Sequence, residues 1–467
     1  MTGSIPPQET VERALALSKA DGCVVIATER TEANLRWANN TLTTNGEMRS
    51  RQLAVISMVN GATGTAAAVL ERSAVDPDDL ETLVRAAEQA ARDAGPADDA
   101  MPLVEPGTDH PGAAAWGEPA AETSIEIFDR FAGQLGEAFG RAGAADRLLF
   151  GFAEHVVEST YLGSSTGLRL RHDQPTGRLE LNAKSPDFAR SVWSGQGSHD
   201  FSDVDVLAAD ADLATRLRWE ERRTDLAPGR YETILPPTAV ADLMTYIYWS
   251  AIGRDADEGR TVFSKKGGGS RLGERLTEVP ITLRSDPSAA GLAAAPFVHT
   301  TWAHPAFSLF DNGQPTQPVE WISGGVLNNL LKSRAWATQT DARPTMFVDN
   351  LLMESPDGAG SLEDLVARTE RGLLLTCLWY IRTVDPQTML LTGLTRDGVY
   401  LVENGEVTTA VNNFRFNESP VGMLSRIAEV GAPERTLPRE LSDYFNRTSM
   451  PALRVSDFNM STVSKGV

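Results

Sequence analysis

Cysteine is almost missing from this chain, with Cys23 and Cys377 the only two in 467 residues. That scarcity argues against a secreted, disulfide-stapled domain, and a chain of this length buries enough core to need no staple. Histidine is nearly as scarce: His110, His155, His172, His199, His299 and His304 make up the set. None has a partner four residues away on an expected helix, so no helical metal pair is present. Basic charge is outnumbered, 43 Lys and Arg against 63 Asp and Glu, for a net charge of −20. Such a surface repels phosphate backbones, and no nucleic-acid partner is expected. No apolar run is long enough to span a bilayer, so no membrane association is expected. The first 22 residues carry neither a basic n-region nor an apolar h-region, so no signal peptide is read there and a cytoplasmic protein is expected.

What is present is ordinary globular material: 41% hydrophobic and 23% charged residues, in a chain long enough for two or three domains. Thr10–Lys19, Pro77–Arg92 (capped by Asp76), Ser124–Ala142 and Asp203–Glu221 read as amphipathic helices. Between them lie strand-like runs at Cys23–Thr28, Leu35–Asn40 and Arg51–Val59, with turns expected at Asn45-Gly46 and Asn60-Gly61. Leu148–Thr160 and Leu168–His172 suggest a hairpin, followed by a strand at Gly177–Lys184. Asp93–Glu122 is rich in Gly, Pro, Ala and Asp and reads as an extended surface connection.

After Asp225–Arg230 the helical period largely stops. Strand-like runs follow at Gly229–Leu235, Ile281–Arg284, Pro318–Ile322, Gly372–Leu378, Leu390–Leu394, Gly398–Glu403 and Glu406–Phe416. Shorter helices are expected at Asn328–Ala337, Ser361–Arg371 and Pro420–Val430. The fold class expected is α+β: an N-terminal α+β domain over 1–225, then a mostly antiparallel β domain over 226–467. The second half carries one long helix, Pro236–Ile252 (PPTAVADLMTYIYWSAI), which reads as buried and opens on prolines suited to a first turn.

Few residues offer chemistry on their own. Glu154 and Glu158 share one face of an expected strand and His155 the other, so they form no ligand cluster and read as polar-face residues. Lys265-Lys266-Gly267-Gly268-Gly269-Ser270-Arg271 lacks the G-K-[ST] of a phosphate loop and reads as a mobile loop. His299 and His304, in VHTTWAHP, are weak candidates for a metal pair in a loop.

Four stretches occur together in order: Thr31–Gly46 (TEANLRWANNTLTTNG), Ser159–Arg171 (STYLGSSTGLRLR), Leu373–Val407, with its TRDGVYLVENGEV ending, and Asn413–Leu424 (NFRFNESPVGML). In that order they resemble the TldD/TldE (PmbA) family over about four hundred residues. The hairpin stretch has Ser164 where the family's N-S-x-G has Asn. TldD-type members carry H-E-x-x-x-H on the helix matching Pro236–Ile252, and a cysteine ligand near the C-terminus. In this chain the degenerate stretch is Thr245, Tyr246, Ile247, Tyr248, Trp249, Ser250 and Ala251, and the tail from Asp443 contains no cysteine.

By that resemblance the chain is TldE/PmbA-like and has no catalytic residues of its own. It would bind no cofactor, zinc being expected only in a TldD-type partner subunit. The resemblance implies a non-catalytic subunit of a zinc metallopeptidase acting on peptide substrates, and a homo-oligomer when alone. Leu378-Trp379-Tyr380-Ile381 and Phe458–Val463 are the candidate contact segments. An independent hydrolase with an unrecognised site, or a non-proteolytic scaffold or adaptor, are the alternatives.

Overall fold

The computed structural model describes residues 5–108 and 110–464. Strands hold 41% of the chain and helices 22%, mostly in antiparallel sheets, which makes the class α+β. None of the described helices is long and apolar enough to cross a membrane. Both cysteines are buried and free.

The first sheet has six strands in the order β3-β2-β1-β4-β5-β6. These are β1 (Gly22–Ala38), β2 (Thr41–Gly61), β3 (Gly64–Ser73), β4 (Leu148–Ser164), β5 (Arg169–Lys184) and β6 (Ser191–Ser198). Four helices are associated with it: α1 (Pro7–Leu17), α2 (Leu80–Asp93), α3 (Asp129–Ala144) and α4 (Val206–Trp219). Alternation along the strands explains the layering. On one face, Val25, Ala27, Val55 and Tyr161 pack under α1 and α2. On the same face, Leu35, Trp37, Ala153 and Leu181 pack under α3 and α4. The opposite face meets the second half of the chain, where Ile26, Leu162 and Leu170 cluster with Phe297, Leu309 and Phe310.

Several expectations needed correction. Cys23–Thr28 and Leu35–Asn40 are one continuous strand, and the turn falls at Asn39-Asn40, both with positive φ (51° and 59°). Asn45-Gly46 lies inside β2, paired to Leu35 and Asn34. The dipeptide chemistry of a tight hairpin was read correctly and assigned to the wrong asparagines, since two Asn residues tolerate the left-handed region as Asn-Gly does. The second turn sits one step beyond Asn60-Gly61, because Gly61 pairs with Gly64 across the two intervening residues. Leu168–His172 and Gly177–Lys184 merge into β5, which carries Pro175 opposite Val157 without a break. β6 was not anticipated, because its Gly- and Ser-rich sequence lacks strand signals.

The second sheet has twelve strands, with the path β11-β10-β9-β12-β18-β8-β13-β14-β15-β7 and β16 and β17 branching from it. Its members are β7 (Arg223–Thr224), β8 (Gly229–Leu235), β9 (Thr282–Ser285), β10 (Val319–Ser323), β11 (Val326–Leu327) and β12 (Leu351–Glu354). The rest are β13 (Arg371–Asp385), β14 (Leu390–Glu403), β15 (Glu406–Val411), β16 (Phe414–Glu418), β17 (Ile427–Thr436) and β18 (Thr448–Val463). The expected helix Asn328–Ala337 shrinks to Arg334–Gln339, capped by Ser333. Pro420–Val430 shortens to Pro420–Leu424, because Ile427 starts β17. Ser361 and Asp364 close a capping box on Leu362–Ala367. Helix α5 (Pro237–Ser250) lies against this sheet, inside its largest apolar cluster.

Candidate functional site

α5 is the helix on which the sequence focused attention. Pro237 occupies its first turn, where a missing N–H costs nothing. Ala239, Val240, Leu243, Met244 and Ile247 are all essentially inaccessible to solvent, and so are Asp242, Thr245 and Tyr248. A helix buried all round must find a partner for every polar side chain. Thr245 Oγ1 donates to the Ala241 carbonyl at 2.8 Å, within the helix itself. Tyr246 OH donates to the Ile381 carbonyl at 2.9 Å, and burial pushes its phenol up to about 12. Tyr248 OH donates to the Val348 carbonyl at 2.9 Å and accepts the Val348 N–H at 2.8 Å, so one hydroxyl holds both backbone groups of one residue.

Asp242 does for another segment what Tyr248 does for Val348. Its two carboxylate oxygens accept the N–H groups of Arg439, Glu440 and Leu441, each at 3.1 Å. Burial raises its pKa to about 8 against the lowering effect of those three donors. Arg439, fixed in this way, lies between Trp193 of β6 and Trp379 of β13, 4.8 and 4.5 Å from their ring centres. Its guanidinium also donates to Glu180 of β5 at 3.0 Å. α5 thus anchors the segment that joins the two sheets.

The last turn of α5 opens on a cleft of about 620 Å³. Trp249 and Phe445 line it, in edge contact at 6.3 Å. Phe445 continues into a row of rings: Phe347, 6.3 Å from it and stacked on Tyr248 at 5.0 Å, Phe307 against Phe347 at 5.2 Å, and Trp302 against Phe307 at 4.9 Å. Because Val348 is clasped by Tyr248, its neighbours Phe347 and Asp349 are both set into the cleft wall. Asp349 pairs with Arg447. Asp311, in the same lining, is held by Arg334 at 2.8 Å.

The two histidines singled out from the sequence both line this cleft. His304 is exposed and turns back so that its Nδ1 accepts the Ala306 N–H at 3.4 Å. Burial holds His299 down to about 4, which keeps its imidazole neutral at physiological pH. Since the unfolded chain takes up that proton near 6.5, the folded state loses stability as pH falls from there toward about 4. His299→Gln is expected to flatten that part of the melting temperature against pH curve, measured by scanning calorimetry from pH 7 to 4.5.

Of the contact segments read from the sequence, Leu378 and Ile381 are buried core and Tyr380 is 56% exposed. Phe458 and Met460 are buried in β18, leaving Val463 exposed. Glu154 and Glu158, read as polar-face residues, are half-buried. Both are shielded enough that burial raises their pKa, with charges of the second half, Asp443 and Arg447 respectively, close by. His155 is tied to Thr123 and to the His199 carbonyl. The loop around Gly267, Gly268 and Gly269 is exposed, all three glycines having positive φ. Trp302, Phe307, Phe347, Asp349 and Phe445 had not been singled out as site residues. The aromatic residues around VHTTWAHP were the available signal, but their partners lie forty and one hundred and forty residues away.

A fold of two such sheets around a buried helix is that of a known class. Residues 228–462 match the profile of the PmbA/TldA metallopeptidase C-terminal domain, and residues 23–94 that of PmbA/TldA metallopeptidase domain 1. The first of these alone spans half of the chain, and the protein belongs to the TldD/TldE (PmbA) metallopeptidase family. Among solved structures, TldE from Thermococcus kodakarensis superposes with a TM-score of 0.77 at 16% identity, over 97% of this chain and 99% of that one. A candidate modulator of DNA gyrase from Bacteroides thetaiotaomicron gives 0.75 at 15% identity, over 98% of both chains. Another from Thermotoga maritima gives 0.71 at 17%, over 97% of this chain and 99% of that one. These likenesses define the fold. No curated protein matches the sequence significantly.

A metallopeptidase family implies a metal, and the residues of α5 do not fit one. Thr245, Tyr246 and Tyr248 have their hydroxyls engaged with backbone carbonyls, Trp249 offers no lone pair for a cation, and Ile247 and Ala251 offer no donor at all. Among the described residues, no three His, Cys, Asp or Glu side chains stand together as a ligand set. No reaction step through a metal on this chain is therefore derived.

Proposed function

We propose that this chain is a non-catalytic, TldE/PmbA-like subunit of a TldD/TldE-type zinc metallopeptidase, working with a TldD-type partner that carries the zinc. The observation that carries the reading is α5: the helix is intact and buried, yet the hydroxyls of Thr245, Tyr246 and Tyr248 are bound to backbone carbonyls and its one carboxyl group, Asp242, is taken up by three backbone N–H groups. Its role is to hold extended peptide substrate beside the partner's metal and to complete the assembly. Strand-rich architecture suits that task, because a free strand edge binds a peptide backbone regardless of its sequence. In this reading the subunit is cytoplasmic, binds neither nucleic acid nor membrane, and self-associates when its partner is missing. The exposed Tyr380 and Val384 of β13 are the contact residues to examine first.

The test is composition and activity together. The purified chain is expected to contain well under one zinc per polypeptide by elemental analysis, and to cleave no unfolded casein alone. Co-expressed with a TldD-type chain, it is expected to co-purify with it, and the complex to cleave casein in a chelator-sensitive way. One zinc per chain in the isolated protein, or chelator-sensitive cleavage by it alone, would overturn the proposal in favour of an independent hydrolase. Failure to co-purify would overturn it in favour of an adaptor.

A further inference from the structure

We propose that the cleft at the end of α5 seats an uncharged aromatic or large apolar side chain of an extended peptide, whose backbone lies along Val298–Thr300. The inference rests on the peptide-holding role above and deepens it by naming the side-chain class. Three observations carry it.

The first is the backbone at the cleft. Val298 N–H donates to the Gln314 carbonyl at 2.9 Å, and the Val298 carbonyl accepts from Gly313 at 2.8 Å. Thr300 repeats the pattern two residues on, its N–H and carbonyl both held by the Asn312 side chain at 2.7 and 2.8 Å. Alternate residues of an extended segment direct their N–H and C=O groups to opposite edges. The edge carrying Val298 and Thr300 is occupied. Among the described residues, none hydrogen-bonds the backbone groups of His299 between them; the extended run ends at Thr300, because Thr301 and Trp302 form a bend in which Thr300 Oγ1 donates to the Trp302 carbonyl at 3.0 Å. All of Val298 to Trp302 lines the cleft, so an open edge borders it. A peptide strand can add there through its main chain.

The second is the shape and surface of the cavity. About 620 Å³ is well inside the ~300–1,000 Å³ typical of ligand sites, and larger than one amino-acid side chain requires. Phe307, Phe347, Phe445 and Trp249 follow one another in ring contact and offer faces and edges to a further ring laid against them. Trp302 and Tyr444, also in the lining, are 55% and 76% exposed. Aromatic exposure on that scale beside a cavity marks a contact surface.

The third is charge. Two carboxylates lie in the lining, and both already have a cation: Asp349 has Arg447 and Asp311 has Arg334. His299 is neutral. No unpaired charge remains in the lining to compensate an ionic side chain taken out of water, which would therefore enter at a penalty.

The experiment uses the full chain and four capped tripeptides, N-acetyl-Ala-X-Ala-amide with X being Phe, Ala, Glu or Lys, titrated by calorimetry. The Phe peptide is expected to bind about tenfold tighter than the Ala peptide, as burial of one aromatic ring predicts, and tighter than Glu or Lys. Trp302→Ala and Tyr444→Ala, both at exposed positions, are expected to remove most of that preference with unchanged melting temperature. N-methylating the amides either side of Phe is expected to weaken binding to both wild type and variants, because it removes main-chain donors. Equal affinity for all four peptides, no binding of any, a preference for Lys, or a Phe preference untouched in both variants would overturn the inference. Co-purification with a TldD-type chain is read separately. If it succeeds while the Phe preference is missing, only this inference falls. If the preference is present while co-purification fails, only the subunit reading falls.

Discussion

Asp242→Ala is expected to destabilise the protein by about 3–5 kcal/mol, measured by urea unfolding. The carboxylate is fully buried and accepts three backbone N–H groups from Arg439, Glu440 and Leu441. Alanine leaves all three without an acceptor in a dry environment, at ~1–3 kcal/mol for each that water cannot reach. Asp242→Asn keeps the shape and, like the protonated acid, one carbonyl acceptor, so its cost is expected to be smaller than that of alanine. The pH dependence separates the two effects. Burial raises Asp242 from 3.8 to about 8, so the folded state holds a proton that the unfolded state releases. That contribution is complete below about pH 4 and is lost as pH rises through about 8. Asn cannot titrate, and the variant's stability is expected to lose that decline between pH 5 and 8.

The second large effect is expected at Tyr248. Removing its hydroxyl in Tyr248→Phe orphans the N–H of Val348, whose carbonyl keeps the Asn350 N–H at 2.8 Å, a cost of about 1–3 kcal/mol. Tyr248→Ala also opens a cavity among Trp321, Phe347 and Phe445, and is expected to cost about 3–5 kcal/mol. The phenylalanine variant is the informative one, since it keeps the ring stacked on Phe347 while loosening the segment between Phe347 and Asp349. Hydrogen exchange at residues 346–350 is expected to accelerate more than in α5 itself. Equal protection in that segment before and after the substitution would show that the clasp holds nothing in place.

Local structure was the more legible part of the sequence. Pro237, the small residues after it and the absence of a polar face define α5 to within two residues of Pro236–Ile252, because a buried helix needs no information from its surroundings. The hairpin at Asn39-Asn40 shows a limit of another kind. Asn45-Gly46 has the stronger turn chemistry, but β1 continues past Thr28 to Ala38, and its pairing carries β2 straight through the glycine. Glu154 and Glu158 show a third. Period-two alternation separated the faces of β4 correctly, and nothing local could say that the polar face would be covered by residues 439–447. The cleft is the least legible feature, since its walls come from α5, from 295–316, from 346–349 and from 444–445. The family resemblance supplied the helix to look at, and the missing ligands on it were legible directly. The ring row at the end of that helix requires the folded chain.

Two different jobs are spread along the fourteen residues of α5. Its second turn holds the chain together, through Asp242, the backbone of 439–441 and the Arg439 side chain lodged between Trp193 and Trp379. Its last turn shapes a cavity, through Tyr248 and Trp249. Cohesion and recognition are therefore separable by position on one rod. A lineage of such chains can exchange the residues of the last turn, gaining or losing ligands and remodelling what the cavity accepts, while the architecture stays standing on the turns before it. One helix can then carry the standing of the fold and the shape of its cavity without either constraining the other.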